Sequence, residues 1–212
     1  MEASFWHDRW NANEIGFHQP KPNALLERNF AVLALPKGSR IFLPLCGKTL
    51  DIGWLLANGY RVAGAELSEN AVKQLFEELG VTPDITPTGK LTRYSAPDID
   101  IFVGDIFELS ADLLGTVDAI YDRAALIALP DEMRRRYAGH LREITGAVSQ
   151  LLITIEYDQS KMPGPPFSVD GETVKSLYNG SYRITSLEEK EIRGGFKGQI
   201  PASEVVWHLD KA

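Results

Sequence analysis

Two charged residues stand directly after apolar runs of this chain, at positions where an α/β protein holds its ligands. Glu66 ends one run, and Arg123 ends another with Asp122 just before it. A carboxylate at a strand tip can accept hydrogen bonds from both hydroxyls of a ribose, and a guanidinium is a permanent cation with planar donors. Two simpler interpretations remain open: a solvated strand end for Glu66, and a structural ion pair with Asp122 or Asp118 for Arg123.

The turn after the first apolar run restricts which nucleotide could bind beside it. Gly47-Lys48-Thr49 resembles the end of a phosphate-binding P-loop, but Phe42 stands where that loop needs its first glycine. A dinucleotide fingerprint needs three glycines around this turn, and only Gly47 is present. Glu66 follows the turn by about 20 residues, the length of one βαβ unit. An acid in the ribose position without a pyrophosphate cradle indicates a nucleoside ligand, and S-adenosylmethionine (SAM) is the obvious one.

The elements that must position these residues follow from the alternation of apolar runs with helical patterns. Strands are predicted over residues 40–45, 61–66, 99–103, 117–121, 148–155, 182–192 and 204–209, and helices over 49–58, 69–79, 131–144 and 169–178. Strands that alternate with helices form a parallel sheet with right-handed crossovers. The last two strands have no helix between them, which predicts an antiparallel edge. The predicted fold class is therefore α/β, with a mostly parallel sheet.

Two stretches depart from this alternation. Residues 1–35 carry five aromatic side chains but are too short for a core of their own, so we predict an N-terminal extension packed over the sheet of a single domain, residues 1–212. Within this extension, Pro22 is predicted as the first residue of a helix. The stretch Thr82–Asp98 has three prolines and few apolar residues, which predicts an exposed loop.

Charge and composition bear on the partners and the compartment. The chain of 212 residues has 22 basic and 29 acidic side chains, a formal net charge of −7, which disfavours nucleic acid as a main partner. No apolar run reaches the roughly 18 residues of a membrane span, and the start lacks the pattern of a signal peptide. The single cysteine, Cys46, suits a reducing compartment, and the four scattered histidines give no metal-ligand spacing. We expect a cytoplasmic protein without a metal, a membrane or a nucleic-acid partner, and a monomer because no exposed apolar heptad is present.

Six short motifs, in order and at compatible spacings between residues 5 and 167, resemble the thiopurine S-methyltransferase family. They are Phe5-Trp6-His7-Asp8-Arg9-Trp10, Gly16-Phe17-His18-Gln19, Pro44-Leu45-Cys46-Gly47-Lys48, Glu66-Leu67-Ser68, Asp122-Arg123-Ala124-Ala125-Leu126 and Pro163-Gly164-Pro165-Pro166-Phe167. The resemblance implies a class I SAM-dependent methyltransferase with a Rossmann-like sheet. It also implies methyl transfer to the sulfur of a small aromatic or heterocyclic thiol, and similar proteins are linked to methylation of selenium or tellurium compounds.

The resemblance also implies roles for four residues. Trp10 would contact SAM, Phe17 would lie toward the acceptor, and Asp105 and Ile106 would flank the adenine. From its place at the end of the first strand, the backbone of Leu45 is expected to meet the methionine part of SAM. The structural alternatives are core packing for Trp10, Phe17 and Leu45, and a cap of the following turn for Asp105.

Arg123 is expected beside the transferred methyl group, where it would hold either the SAM carboxylate or an anionic acceptor. Enzymes that methylate amino groups of DNA carry Asn or Asp followed by Pro-Pro and an aromatic residue here, and the sequence Asp122-Arg123-Ala124-Ala125 argues against that class. The proline-rich segment 163–167 is expected to form one wall of the acceptor pocket. Methyl transfer from a sulfonium needs no covalent enzyme intermediate, so Cys46 is interpreted as a buried residue without a catalytic role. The alternatives are a SAM-dependent halide or simple-thiol methyltransferase, and a SAM-binding regulator without turnover.

Overall fold

The computed structural model describes residues 3–12, 14–16 and 18–211. The helices are α1 (Ala3–Asn11), α2 (Ala24–Asn29), α3 (Asp51–Ala57), α4 (Glu69–Leu79), α5 (Ala111–Leu114), α6 (Asp131–Thr145) and α7 (Gly171–Tyr178). The strands are β1 (Arg40–Pro44), β2 (Arg61–Glu66), β3 (Asp84–Thr88), β4 (Leu91–Ala96), β5 (Ile99–Val103), β6 (Ala119–Arg123), β7 (Gln150–Tyr157), β8 (Tyr182–Glu191) and β9 (Ala202–Lys211).

These strands form one sheet in the order β3-β4-β5-β2-β1-β6-β7-β9-β8. The five central strands, from β5 to β7, pair in parallel. The β9 strand pairs antiparallel with both β7 and β8, so the predicted α/β fold and its antiparallel C-terminal edge are confirmed. The chain order reverses between β1 and β6, and open α/β sheets bind their ligands at the carboxyl ends of the strands beside such a reversal.

The stretch predicted as an exposed loop, Thr82–Asp98, is instead a hairpin, so that prediction was wrong. The strands β3 and β4 pair antiparallel, and β4 pairs with β5 to extend the sheet. Pro87 is tolerated because β3 is the outermost strand, where a missing N–H breaks no central ladder. Leu91 and Tyr94 are buried, whereas the residues between them are partly exposed. This spacing of three does not match the alternation by which a strand is recognised in a sequence.

Local sequence signals account for the elements whose limits were predicted best. The observed limits of β2, α4 and β5 agree with the predicted ones. The Ser68 hydroxyl accepts a hydrogen bond from the Ala71 N–H at 3.3 Å at the start of α4, and Gly80 ends it with φ +69°. In the extension, Asn23 rather than Pro22 begins the helix, because its side chain accepts hydrogen bonds from two backbone N–H groups of α2.

Apolar layers cover both faces of the sheet. On β1, Phe42 belongs to one layer, while Ile41 and Leu43 belong to the other, as the alternation of side chains along a strand requires. Leu25 and Leu26 of α2 pack into the second layer. The part of the extension from α2 onward is therefore anchored in the core. Among the described residues, no helix has both the length and the apolar character that crossing a bilayer requires.

Candidate functional site

A cavity of about 830 Å³ opens at the carboxyl ends of the central strands, beside the reversal of strand order. Its lining includes six residues to which the sequence assigned a role in the site: Trp10, Leu45, Glu66, Asp105, Ile106 and Arg123. The seventh, Phe17, lies outside the described residues. The tertiary structure therefore brings together side chains from the extension and from the ends of β1, β2, β5 and β6.

Glu66 lines the cavity at the end of β2, and its carboxylate is fixed by backbone donors. Its Oε2 accepts a hydrogen bond from the Gly47 N–H at 2.7 Å, and its Oε1 accepts one from the Ser68 N–H at 2.8 Å. The residue is only 6% exposed, and burial raises the pKa of the Glu66 carboxyl from its usual range. Each carboxylate oxygen has two lone pairs, so one acceptor site remains on each oxygen for a ligand.

The turn after β1 brings backbone and an aromatic ring into close contact at the cavity. A Cβ atom on Gly47, whose φ is +54°, would lie 3.0 Å from Cζ2 of Trp10. Leu45 also has a positive φ, +47°, which a leucine rarely adopts. Such backbone strain costs on the order of 1–3 kcal/mol and clusters at ligand sites. Trp10 is buried, and its ring packs against this turn in the lining of the cavity.

Asp105 and Ile106 occupy the rim of the cavity beyond β5. The Asp105 side chain is exposed, and its Oδ1 accepts a hydrogen bond from the Phe107 N–H at 3.0 Å. The cap that the sequence left open as an alternative is therefore present. Ile106 is buried, and its carbonyl oxygen lies 2.8 Å from Nε2 of His140.

Arg123 faces a buried carboxylate that the sequence reasoning missed. Its Nη1 lies 3.7 Å from Oδ2 of Asp51, and the Arg123 side chain is 12% exposed. Asp51 also accepts hydrogen bonds from the Asn23 N–H at 2.6 Å and from the Tyr121 hydroxyl at 3.0 Å. Asp51 thus joins the extension, α3 and β6 at the cavity. The sequence did contain a signal for Asp51, because this acid stands directly before Ile52 in a predicted helix that also carries Leu55. Both apolar residues are fully buried in the structure.

The partners that the sequence suggested for Arg123 lie elsewhere. The carboxylate of Asp118 accepts a hydrogen bond from the Arg40 N–H at 2.7 Å. Asp122 is fully buried, accepting hydrogen bonds from the Tyr137 hydroxyl at 2.7 Å and the Leu126 N–H at 3.1 Å. Asp122 therefore fixes the turn that follows Arg123. Its burial raises the pKa of the Asp122 carboxyl to about 6.

We expect Asp122→Asn to lower the pH dependence of stability. Because the folded-state pKa of Asp122 is raised, the folded protein binds more protons than the unfolded chain, and this carboxyl lowers stability as the pH rises toward and past 6. As the pH rises from 5 to 7, the free energy of unfolding of Asp122→Asn should increase by about 1 kcal/mol relative to that of the wild type. Urea unfolding of both proteins at several pH values measures this difference. A difference independent of pH would show that Asp122 is ionised throughout.

Four further polar residues lie at the cavity or directly beside it. Lys48, to which the sequence gave no firm role, forms an ion pair at 2.6 Å with Glu78. Burial lowers the pKa of His18, and the neighbouring Lys48 cation adds to this shift, so the neutral imidazole is favoured. Burial raises the pKa of the Cys46 thiol well above its usual range. A thiol in that state is a poor nucleophile, in line with its interpretation as a buried residue.

Two segments that follow β7 and β8, across the reversal of strand order from Glu66, add apolar side chains to the cavity wall. Pro165 and Pro166 come from the proline-rich segment 163–167, and Phe196 comes from residues 192–201, which connect β8 and β9. The Phe167 N–H donates a hydrogen bond to the Ile127 carbonyl at 2.7 Å, which fixes the proline-rich segment beside the end of β6.

The sheet order and the cavity at its reversal define the class I SAM-dependent methyltransferase fold. Two solved structures agree over nearly the whole chain. A SAM-dependent methyltransferase from Anabaena variabilis matches with a TM-score of 0.67 and 18% identity, covering 99% of this chain and 95% of its own. The magnesium protoporphyrin IX methyltransferase of Synechocystis PCC 6803 with bound S-adenosylhomocysteine matches with a TM-score of 0.62 and 14% identity, covering 99% of this chain and 100% of its own.

Sequence comparison gives the particular family. The family model described as thiopurine S-methyltransferase matches residues 1–206. A relative from Xanthobacter autotrophicus named thiopurine S-methyltransferase is 54% identical over 213 residues, covering 100% of both chains. One of the same name from Gluconobacter oxydans is 52% identical over 207 residues, covering 98% of this chain and 94% of its own. The chain belongs to the thiopurine S-methyltransferase family, and it is an enzyme that uses SAM as its methyl donor.

Proposed function

We propose that this enzyme transfers the methyl group of SAM to the sulfur of small aromatic or heterocyclic thiols, thiopurines among them. The observation that carries the proposal is one continuous cavity that joins Glu66 at one end to the apolar walls formed by Pro166 and Phe196 at the other, with Arg123 in its lining. Apolar walls suit a flat ring, and an arginine suits an anionic sulfur. The name that these relatives carry, thiopurine S-methyltransferase, supports the same class of acceptor.

The residues of the cavity fit SAM. The two acceptor sites left on Glu66 suit the ribose hydroxyls, and the Asp105 carboxylate suits the adenine amino group beside the apolar face of Ile106. The backbone at Leu45 is proposed to meet the methionine part. Trp10 packs on the glycine turn, where an aromatic face can contact a sulfonium. Phe17 remains proposed for the acceptor side.

SAM supplies a methyl group on a positively charged sulfur, which an ionised thiol can displace directly. The apolar residues of the cavity exclude water, and a low dielectric favours a step in which opposite charges are neutralised. The Arg123 guanidinium, paired with Asp51, would place its own positive charge near the acceptor sulfur or would bind the SAM carboxylate. An acceptor ionised before it binds needs no general base from the chain. Alignment in the cavity supplies much of the remaining rate.

Transfer of a labelled methyl group from SAM to a panel of acceptors tests the proposal. The panel contains thiopurines and other aromatic thiols, with selenite, tellurite, iodide and hydrogen sulfide as separate arms. Turnover of aromatic thiols is the expected result. Turnover of iodide or hydrogen sulfide alone would favour the halide or simple-thiol alternative. Tight SAM binding without turnover of any acceptor would favour a regulator.

We propose that residues 1 to about 20 form a lid that SAM orders. This proposal is based on the position of α1, which contributes Trp10 to the cavity lining. The Asn70 side chain donates a long hydrogen bond, 3.5 Å, to the Trp10 carbonyl. The segment is anchored further along, at Asn23, by the hydrogen bond to Asp51. Amide exchange in this segment should therefore slow by about tenfold or more when a SAM analogue binds, while exchange in β1 stays unchanged. Equal exchange with and without the analogue would indicate a fixed wall.

Three further proposals concern organisation. Residues 1–212 are proposed to form one domain with residues 1–35 as its extension, and the enzyme is proposed to act as a monomer. Light scattering coupled to size exclusion tests the oligomeric state. Cytoplasmic location and the absence of a nucleic-acid partner also stay proposals. The single cysteine, which is buried, and the net charge of −7 support them.

A further inference from the structure

Tyr157, the last residue of β7, stands behind the two segments that wall the acceptor end of the cavity. These walls are the proline-rich segment 163–167 and the β8–β9 loop, residues 192–201. Tyr157 lies outside the cavity lining, yet it contacts both walls, one through its hydroxyl and one through its ring. The side chain is half-buried, and burial raises its pKa above the usual range, so the hydroxyl stays protonated as a donor.

The hydroxyl holds the proline-rich segment. It donates a hydrogen bond to the Pro166 carbonyl at 2.7 Å and accepts one from Nε2 of Gln159 at 3.0 Å. The backbone N–H of Tyr157 also donates to the Ser168 hydroxyl at 3.0 Å. Proline has no N–H with which to fix itself, so Pro166 depends on contacts made through its carbonyl and its ring.

The ring holds the β8–β9 loop. It stacks on Phe196 with the ring centroids 5.9 Å apart and the planes at 26°. The backbone of Phe196 forms hydrogen bonds within the loop. Its N–H donates to the Ile200 carbonyl at 2.6 Å, and its carbonyl accepts from the Ile200 N–H at 3.1 Å. Gly195 makes this turn possible, since a Cβ there would lie 2.8 Å from the Ile200 carbonyl oxygen. The loop is thus a preformed turn. Its first residue is tied to β9 by the hydrogen bond from the Ile192 N–H to the Ala202 carbonyl at 2.9 Å, and the stack on Tyr157 holds Phe196 against the end of β7.

We propose that Tyr157 is a positioning residue that sets the spacing of the two acceptor walls and thereby the choice of acceptor. The inference rests on the proposed function, because it treats the end of the cavity lined by Pro166 and Phe196 as the acceptor end. Tyr157 touches neither the cavity nor Glu66, so its effect reaches the acceptor only through the two walls. SAM binding therefore does not depend on it.

Two variants separate its two contacts. Tyr157→Phe removes the hydrogen bond to Pro166 and keeps the stack, whereas Tyr157→Leu removes both. With a thiol acceptor, Tyr157→Phe should raise KM about fivefold with little change in kcat. Tyr157→Leu should raise KM further and reduce discrimination between acceptors of different ring size. The affinity for SAM, measured by calorimetry, should stay within twofold in both variants.

Amide exchange gives a readout that needs no acceptor. Tyr157→Phe should speed exchange in segment 163–168 and leave residues 192–201 unchanged, whereas Tyr157→Leu should speed exchange in both. The matched control is Tyr60→Phe, since the Tyr60 ring also packs against a phenylalanine, Phe30, but lies away from the cavity lining. This control should leave KM and exchange in both walls unchanged.

Unchanged exchange in both walls of Tyr157→Leu, or a loss of SAM affinity equal to the rise in KM, would overturn the role of Tyr157. The proposed function fails in a different way, namely if the wild-type enzyme methylates no thiol. Even then, the exchange pattern of the two variants decides whether Tyr157 positions the walls.

Discussion

Glu66→Ala is expected to weaken SAM binding by at least about 100-fold. Two ribose hydroxyls would lose an ionised acceptor, and a hydrogen bond to a charged group contributes roughly 1.5–3 kcal/mol. The loss is specific to the donor substrate, because Glu66 lies at the opposite end of the cavity from the acceptor walls. Calorimetric titration with SAM measures it directly, and an unchanged affinity would remove Glu66 from the ribose.

The same substitution leaves the N–H groups of Gly47 and Ser68 without their acceptor, so folding must be checked alongside binding. Glu66→Gln is the milder variant, since it keeps the size and one of the two acceptor oxygens. Glu69→Gln is the matched control, because Glu69 is a nearby carboxylate that accepts a hydrogen bond from the Tyr94 hydroxyl but lies outside the cavity lining. SAM affinity should hold in Glu69→Gln and fall by about tenfold or more in Glu66→Gln.

Arg123→Lys is expected to lower kcat/KM for thiols by between about tenfold and 100-fold. Lysine keeps the charge, so the buried carboxylate of Asp51 is not left without a cation. What is lost is the planar pair of donors, which a carboxylate or a flat anionic acceptor engages with two hydrogen bonds. Steady-state kinetics with thiol and SAM varied in turn give the change.

The pattern of loss identifies the group that Arg123 holds. If Arg123 serves the acceptor, SAM affinity should hold while kcat/KM for thiols falls. If it serves the SAM carboxylate, both should fall together. Arg135→Lys is the matched control, since Arg135 pairs with a carboxylate, that of Asp131, but on the exposed face of α6, where it directs two N–H groups at that carboxylate. A change below twofold in Arg123→Lys would make Arg123 a structural partner of Asp51 alone.

Much of the central sheet could be predicted because its signals are local. The apolar run of β2, the capping serine at position 68 and the glycine at position 80 each act within a few residues, and the observed limits of β2 and α4 follow them. The place of Glu66 at the cavity could be predicted for the same reason. A residue at the carboxyl end of a parallel strand lies at the ligand edge of the sheet, wherever the strand is placed.

The hairpin formed by β3 and β4 could not be predicted because its stability is not local. Pro87 and the few apolar residues in Asp84–Ala96 indicate a loop when the segment is considered alone. Pairing of β4 with β5 satisfies its backbone groups, and Leu91 and Tyr94 then enter layers built by distant residues. Edge position, which only the assembled sheet defines, makes Pro87 acceptable.

The sequence by itself determined the fold class, the central strands and the residues at their tips, because periodicity, caps and strand ends are properties of neighbouring residues. Only the tertiary structure decided which groups meet across the cavity. Asp51 lies 28 residues from Asn23 and 70 from Tyr121, yet it binds both and faces Arg123. Tyr157 likewise reaches a loop that follows it by an entire helix and strand. Contacts of this kind depend on how the layers pack, and no spacing along the chain specifies them.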